Sequence, residues 1–237
     1  MKNFNFTFKN LKEEYKKILK LNYQVMTCND YVNKKPKKKT LVNRIDVDFS
    51  INKVLDILEI FRSIKIKGTF FFRMHASEYN LFSFESYRII KKILKEGHEI
   101  GYHSEVMEQS IIWGEDPVKC LKRDIEILEK IIGVKINGIA SHGSLSGINN
   151  LDFWNKRLPS DFDISYEAYD KSKNFGLFWK SIYVSDSNWN HWKSYKNGKI
   201  MKNCQKSPSE LCKENHNLIY LTIHPETYYN QHFHEEQ

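Results

Sequence analysis

From Leu41 onward, short apolar segments alternate with longer amphipathic ones, and this alternation limits how the chain can fold more than any other feature. The short apolar segments predict strands at 41–49, 66–74, 98–105, 134–143 and 217–226. The amphipathic segments predict helices at about 52–64, 83–97, 116–133 and 207–214. Such an order favours parallel strands covered by helices, in either a barrel or a doubly wound sheet.

The remaining segments add elements but give no sign of a second domain. Residues 8–21 predict an amphipathic helix, and the polar stretch 29–40 predicts a loop. After residue 143 the alternation is less regular, with a short helix near residue 150 and strands predicted at 162–169 and 176–184. Because no proline- or glycine-rich linker divides the chain, we expect one domain over 1–237, with 1–40 as an N-terminal helix and basic loop and 41–226 as the barrel core.

Composition narrows the class of protein. Hydrophobic residues make up 41% and charged residues 28%, as in ordinary globular proteins. The net charge is +8, but the basic run at 34–39 stands without a nucleic-acid-binding motif, so we expect no nucleic-acid partner. We expect neither a membrane span nor a signal peptide, since no apolar run is suitable for either. Four widely spaced cysteines without a CxxC pair indicate free thiols and a cytoplasmic location.

Charged residues interrupt the first predicted strand of the core. Arg44, Asp46 and Asp48 alternate with Ile45 and Val47, so the three charged side chains share one face of the strand. A charged face within an apolar strand is costly unless the charges pair with each other or bind a cation. An arginine–aspartate ion pair accounts for the charge of one aspartate more readily than for the charges of two. The second aspartate therefore favours a cation site.

The ends of the other predicted strands carry similar side chains. These residues are Arg73 and His75, His103 and Glu105, His142, and His224. In a parallel barrel, functional groups gather at the carboxyl ends of the strands. Imidazole and carboxylate groups bind borderline divalent ions while leaving a coordination position open to water. The sequence therefore predicts a divalent metal centre at this end of the sheet.

Five segments at these positions resemble motifs of the polysaccharide deacetylase superfamily (NodB-like, carbohydrate esterase family 4). They are Arg44–Ser50 (RIDVDFS), Gly68–Arg73 (GTFFFR), Gly97–Glu105 (GHEIGYHSE), Ile139–Gly143 (IASHG) and Leu221–Pro225 (LTIHP), in the order of the family. GTFF followed by GHEIG-x-H is the most specific part. The resemblance implies an α/β fold, a distorted (β/α)7 barrel of mostly parallel strands with outer helices, in a divergent branch of the family.

The resemblance also implies roles for single residues. Asp48 is similar to the metal-binding aspartate, Asp46 to the general base, His103 to the first metal histidine and His224 to the catalytic acid. The roles of the two aspartates could be exchanged, because here Val47 separates residues that are adjacent in the family. Zinc is the ion that the resemblance implies.

Departures from the family pattern require substitutes for two residues. Met107 stands where the family has its second metal histidine; we expect His142 to be the third ligand instead, with Glu105 and His75 as alternatives. The third motif lacks its arginine, whose catalytic role we assign to Arg73, with Arg44 as the alternative. Four residues are predicted to contact substrate, and these are His75, Glu105, Tyr102 and Asp186.

Together with the resemblance, these residues predict a metal-dependent hydrolase that deacetylates an N-acetylated amino sugar or a sugar precursor of a surface polysaccharide. The expected substrate is a carbohydrate or a nucleotide sugar. One alternative is a deacetylase-like protein that binds carbohydrate with weak or no catalysis, which Met107 and the missing arginine favour. A hydrolase of a different amide, for instance a deformylase, is another alternative.

Overall fold

The strands of the described residues lie in one sheet. The computed structural model describes residues 4–36, 39–143, 146–187, 189, 191–232 and 235. The strands are β1 (Gln24–Met26), β2 (Thr40–Val47), β3 (Thr69–Arg73), β4 (Glu99–Ser104), β5 (Gly138–Ser141), β6 (Tyr166–Glu167), β7 (Ile182–Ser185), β8 (Lys193–Lys196), β9 (Lys199–Ile200) and β10 (Leu218–Ile223).

Helices connect most of these strands. The α-helices are α1 (Phe8–Lys20), α2 (Cys28–Lys34), α3 (Val54–Ile64), α4 (Phe84–Lys95), α5 (Val106–Trp113), α6 (Pro117–Ile132), α7 (Leu177–Lys180) and α8 (Pro208–Lys213). Short 3₁₀ helices cover Asn150–Lys156, Pro159–Phe162 and Pro225–Thr227. Several ends match local sequence signals. Helix α6, for example, begins after Asp116, whose side chain accepts a hydrogen bond from the Lys119 backbone, and ends at Gly133 in the left-handed conformation.

The sheet is parallel over most of its width. Its strand order is β6-β5-β4-β3-β2-β10-β7-β8-β9, and every pair from β6 to β7 is parallel. Strand β1 also pairs with β2 in parallel, while β8 and β9 add an antiparallel hairpin beside β7. This arrangement confirms the predicted α/β class with a mostly parallel sheet and outer helices.

The sheet curls until its β6 side approaches β10 and β7. In a flat sheet, β6 and β10 would lie about 24 Å apart, five strand spacings away from each other. Instead the Phe175 ring contacts both Tyr166 of β6 and Tyr220 of β10, with centroid distances of 4.4 and 5.8 Å. Among the described residues no backbone ladder joins β6 to β7, and side chains fill the opening between them. The strands therefore form an incomplete barrel with its gap at β6 and β7.

Two apolar layers lie on opposite faces of the curled sheet. The inner one contains alternate strand residues, including Val42, Phe71, Ala140 and Tyr220. Gly101 makes room for this layer, because a Cβ atom there would lie only 2.4 Å from the Phe71 ring. The outer, larger layer packs the opposite strand faces against the helices. Alternate residues of a strand face the same side of the sheet. The charged residues that follow Val42 along β2 therefore also face inward.

The structure differs from the sequence predictions mainly near the barrel gap and the N-terminus. Helix α2 occupies part of the stretch 29–40 that was predicted as a loop, because Thr27 caps it by accepting a hydrogen bond from the Asp30 backbone. Positions 37 and 38 of the basic run lie outside the described residues. The predicted strand at 176–184 is wrong in its first half, where Gly176 adopts a left-handed conformation and α7 begins. The predicted single domain over 1–237 stays a prediction.

No helix in the part of the chain that the structure describes is long and apolar enough to cross a membrane.

Candidate active site and metal centre

Asp48, His103 and His142 bring three potential metal ligands together at the carboxyl ends of β2, β4 and β5. One ligand atom from each lies within 4.8 Å of the others. Nδ1 of His103 lies 2.7 Å from the Ala140 carbonyl oxygen and must donate to it, because a carbonyl only accepts. This leaves Nε2 facing the Asp48 carboxylate at 3.1 Å. An unprotonated Nε2 would repel that carboxylate unless a cation lay between them.

The chemistry of this donor set fits a divalent ion. Two imidazoles and one carboxylate are ligands that borderline divalent ions prefer. Burial alone would lower the pKa of His103, but Asp46 and Asp48 outweigh this effect and raise it. Burial would likewise raise the pKa of Asp48, but its contact with His103 and the charges of the histidines hold it well below its usual value. The site thus favours positive charge at the point where these side chains meet.

A second group of possible ligands shares one histidine with the first. It consists of Glu105, Glu108 and His142. Glu105 is already engaged, since its Oε1 accepts hydrogen bonds from Nε and Nη2 of Arg73 at 3.0 and 2.7 Å. The same oxygen lies 3.3 Å from Nδ1 of His142. Glu105 is therefore placed to orient His142, whose Nε2 lies 3.8 Å from Asp48.

The contacts of Glu105 also fix its charge. Burial alone would raise its pKa, but the contacts with His142 and Arg73 outweigh burial and lower the pKa to about 2. Glu105 is consequently ionised across the physiological range and can balance a positive charge on either neighbour.

Arg44 holds Asp46 beside the group formed by Asp48, His103 and His142. Its Nε and Nη2 atoms donate to Oδ1 and Oδ2 of Asp46 at 2.7 and 2.6 Å, in a bidentate ion pair. Burial alone would raise the pKa of Asp46, but Arg44 outweighs it and lowers the pKa. Arg73 was predicted to orient Asp46, but the structure pairs it with other groups. Arg73 instead binds Glu105 and the Asp48 carbonyl oxygen, and the alternative, Arg44, contacts Asp46.

His224 faces the two aspartates from β10. Its Nε2 lies 3.9 Å from Oδ2 of both Asp46 and Asp48. Its Nδ1 lies 2.5 Å from Oδ1 of Asp186, a fully buried carboxylate that also accepts a hydrogen bond from the His224 backbone. Burial alone would lower the pKa of His224, but Asp186 outweighs burial and raises it well above its usual value. Asp186 therefore supports His224 from behind and does not line the cavity.

Two further predicted substrate contacts lie away from this cavity. The Tyr102 hydroxyl donates to Asp124 at 2.6 Å on the outer face of the sheet. His75 lies 3.3 Å from the same carboxylate and against the Trp113 ring. Tyr102 is fully buried, because its position in β4 has the opposite parity to His103 and faces the helices.

An aromatic cavity opens beside the candidate metal centre. Its volume is about 520 Å³, and it reaches from the Asp48 side chain down to Arg44. The aromatic lining residues are Phe49, Tyr169, Phe178, Tyr183, Trp189 and Tyr195. Trp189 is 56% exposed at the surface, whereas Trp192 is fully buried in the outer layer. Most of these aromatic residues come from segments around the barrel gap, and their sequence carries no motif that could have revealed them.

Comparison with solved structures finds several chains of low sequence identity to this one. The chain is similar to proteins of carbohydrate esterase family 4. A CE4 family pseudoenzyme from Bacillus anthracis is 18% identical, with a TM-score of 0.46, covering 80% of this chain and 56% of that one. A mutant of it with restored enzymatic activity gives 17% identity, the same TM-score, and coverages of 80% and 58%.

A mutant of the peptidoglycan deacetylase PdaC from Bacillus subtilis is 17% identical, with a TM-score of 0.42, covering 79% of this chain and 89% of that one. The chain thus spans a little over half the length of the pseudoenzyme structures. No family model matches the chain, and no curated protein matches it significantly.

Proposed function

We propose that the protein is a metal-dependent hydrolase that removes the N-acyl group, an acetyl group in the simplest case, from an amino sugar or sugar precursor of a surface polysaccharide. The observation that carries this proposal is the convergence of three kinds of group on one cavity. Asp48, His103 and His142 would hold the ion, Asp46 would act as base, and His224 would act as acid. We include zinc as the ion and a carbohydrate or nucleotide sugar as the substrate.

The chemistry divides between the ion and the side chains. When bound, a divalent ion polarises the amide carbonyl and lowers the pKa of a coordinated water. Asp46 takes a proton from the attacking water, since a carboxylate oxygen bonded to Arg44 can still accept a second hydrogen bond. A carbon–oxygen bond forms and the carbon–nitrogen bond breaks, with the released amine taking a proton from Nε2 of His224. The products are a carboxylic acid and an amino sugar.

Asp186 keeps His224 ready for this step. Because the raised pKa leaves His224 protonated near neutral pH, its Nε2 carries a proton to donate. The hydrogen bond at Nδ1 fixes the orientation of the ring, so that Nε2 points towards Asp46 and Asp48. The cytoplasmic location is also part of the proposal, supported by four cysteines that form no disulfide.

Zinc titration and hydrolysis of N-acetylglucosamine oligomers and UDP-N-acetylglucosamine test this proposal. We expect Asp48→Ala and His103→Ala to lose zinc binding and hydrolysis together. His75→Ala is the matched control, because His75 contacts Asp124 outside the cavity and should leave zinc affinity unchanged. Zinc affinity equal to that of the parent protein in both ligand variants would contradict the proposed centre.

A carbohydrate-binding protein without turnover is the second candidate. It is favoured by the bidentate contact of Arg44, which occupies both oxygens of Asp46 and weakens it as a base. Binding of the same sugars and of zinc, with no release of acetate by the metal-loaded protein, would favour this candidate over the hydrolase.

A further inference from the structure

One nitrogen of Arg44 is buried without a partner in the protein. Nε and Nη2 bind Asp46, whereas Nη1 has no hydrogen-bond acceptor among the described residues. The side chain is 1% exposed, and it lines the cavity beside the metal centre. A buried charged donor without an acceptor is costly. Nη1 is therefore suited to an acceptor that enters through the cavity.

Aromatic rings pack around this donor at the inner end of the cavity. The guanidinium lies 4.8 Å from the Tyr169 ring centroid and 5.5 Å from that of Phe71. The Tyr169 and Tyr183 hydroxyl groups lie 3.5 Å apart across the barrel gap, and both residues line the cavity. An apolar chain could contact these walls while its far end reached Nη1.

The order of residues along β2 sets the direction in which a substrate enters. The side chains of Asp48, Asp46 and Arg44 are 14%, 4% and 1% exposed, so the cavity deepens from the ion ligands towards Arg44. The bulk of a sugar or nucleotide sugar must stay at the open mouth, near the exposed Trp189. Only the terminal group on the other side of the scissile bond, the acyl group, can extend inward.

The depth exceeds what an acetyl group can use. Since Nε and Nη2 of Arg44 face Asp46, Nη1 points away from that carboxylate, to the far side of the planar guanidinium. The methyl of an acetyl group lies only about 1.5 Å from the carbonyl carbon, so a chain of several carbons is needed to pass the ion pair and reach Nη1. Because the charge of Arg44 is already balanced by Asp46, a neutral oxygen acceptor suits Nη1 better than a carboxylate, which Asp46 would repel.

We propose that the inner cavity is an acyl-binding subsite for a hydroxyacyl group, with Arg44 Nη1 donating a hydrogen bond to its terminal hydroxyl. The inference rests on the proposed N-acyl hydrolase function and specifies its substrate class. Arg44 then has two roles, since one side of its guanidinium orients the base and the other selects the acyl group.

Three glucosamine derivatives test the subsite, N-acylated with acetyl, butyryl and 4-hydroxybutyryl groups. We expect the hydroxybutyryl compound to have roughly tenfold higher kcat/KM than the butyryl compound, the ratio expected for one hydrogen bond to a charged donor, and to exceed the acetyl compound as well. Equal values, or a preference for acetyl, would overturn the subsite.

Two variants test whether the preference for the hydroxybutyryl group arises in the cavity. Ser185 lines the cavity, so Ser185→Val should lower the ratio of hydroxybutyryl to acetyl hydrolysis by narrowing it. Ser194→Val is the matched control, since Ser194 is an equally buried serine of the neighbouring strand that does not line the cavity, and the ratio should stay as in the parent protein. An unchanged ratio in Ser185→Val would also overturn the subsite.

Calorimetry separates failure of the subsite from failure of the hydrolase. The subsite predicts tighter binding of the hydroxybutyryl compound than of the butyryl compound, whether or not either is hydrolysed. Tighter binding of the hydroxybutyryl compound without turnover would overturn the hydrolase function and leave the subsite supported. Equal affinities would overturn the subsite itself.

Discussion

Substitution of Glu105 by glutamine tests how the proposed metal centre is built. Glu105 is 6% exposed, and one of its oxygens accepts two hydrogen bonds from Arg73 and lies 3.3 Å from Nδ1 of His142. Glutamine keeps the shape but removes the negative charge, which leaves the Arg73 charge unbalanced near the ligands. Loss of such a supporting contact typically weakens metal binding 10–100-fold. We therefore expect a loss of about 1.4–2.7 kcal/mol in the free energy of zinc binding.

A competition titration of zinc against a chromophoric chelator measures this loss. Glu108→Gln is the matched control, because Glu108 bonds to Asn150 and Ser146 and is a possible ligand only in the second group. We expect its zinc affinity to equal that of the parent protein. If Glu108→Gln and Glu105→Gln both abolished binding while Asp48→Ala preserved it, the ion would lie in the second group, and our assignment would be refuted.

Three further predictions concern residues around the site. Asp186→Asn should lower kcat about 10²–10⁴-fold, because His224 would lose the carboxylate that keeps it protonated. Steady-state kinetics across pH check this, and an unchanged alkaline limb, where His224 loses its proton, would contradict it. Tyr102→Phe should lower the free energy of unfolding by about 1–3 kcal/mol, because the hydrogen bond to Asp124 is lost, and should leave KM unchanged. Denaturant unfolding and steady-state kinetics measure the two effects. A raised KM would restore Tyr102 as a substrate contact. Burial lowers the pKa of His98 to about 4, so the unfolded chain takes up a proton at this histidine before the folded protein does. The free energy of unfolding should therefore fall by about 3 kcal/mol as pH drops from 6.5 to 4. In urea unfolding at several pH values, His98→Gln should remove this contribution to the pH dependence of stability, while His216→Gln should not.

The alternation of side chains at the strand ends made the positions of the candidate ligands predictable. Asp46 and Asp48 share a face in the sequence pattern, and the structure places both towards the cavity with His103 and His224. The class of fold was likewise predictable, because the period of the apolar residues identifies each strand and helix. These features depend on local sequence, where alternation decides which side chains face inward.

The partner of Arg73 was not predictable in the same way. Arg44 shares a strand face with Asp46, which makes their ion pair a local feature, whereas only the packing of neighbouring elements decides that Arg73 reaches Glu105. The aromatic lining around Tyr169 escaped prediction for a related reason. It arises where the sheet curls on itself, a long-range effect without a short sequence signal.

The three proposed ligands come from strands that are distant along the chain. Asp48 and His103 are separated by 55 positions (103 − 48), and His103 and His142 by 39 (142 − 103). An ion held by all three would act as a cross-link that closes two long loops, and closing long loops restricts the unfolded chain most. Since such an ion would bind only the folded protein, thermal stability should rise with the free metal concentration. Metal supply would then regulate how long the protein survives in the cell as well as whether it is loaded.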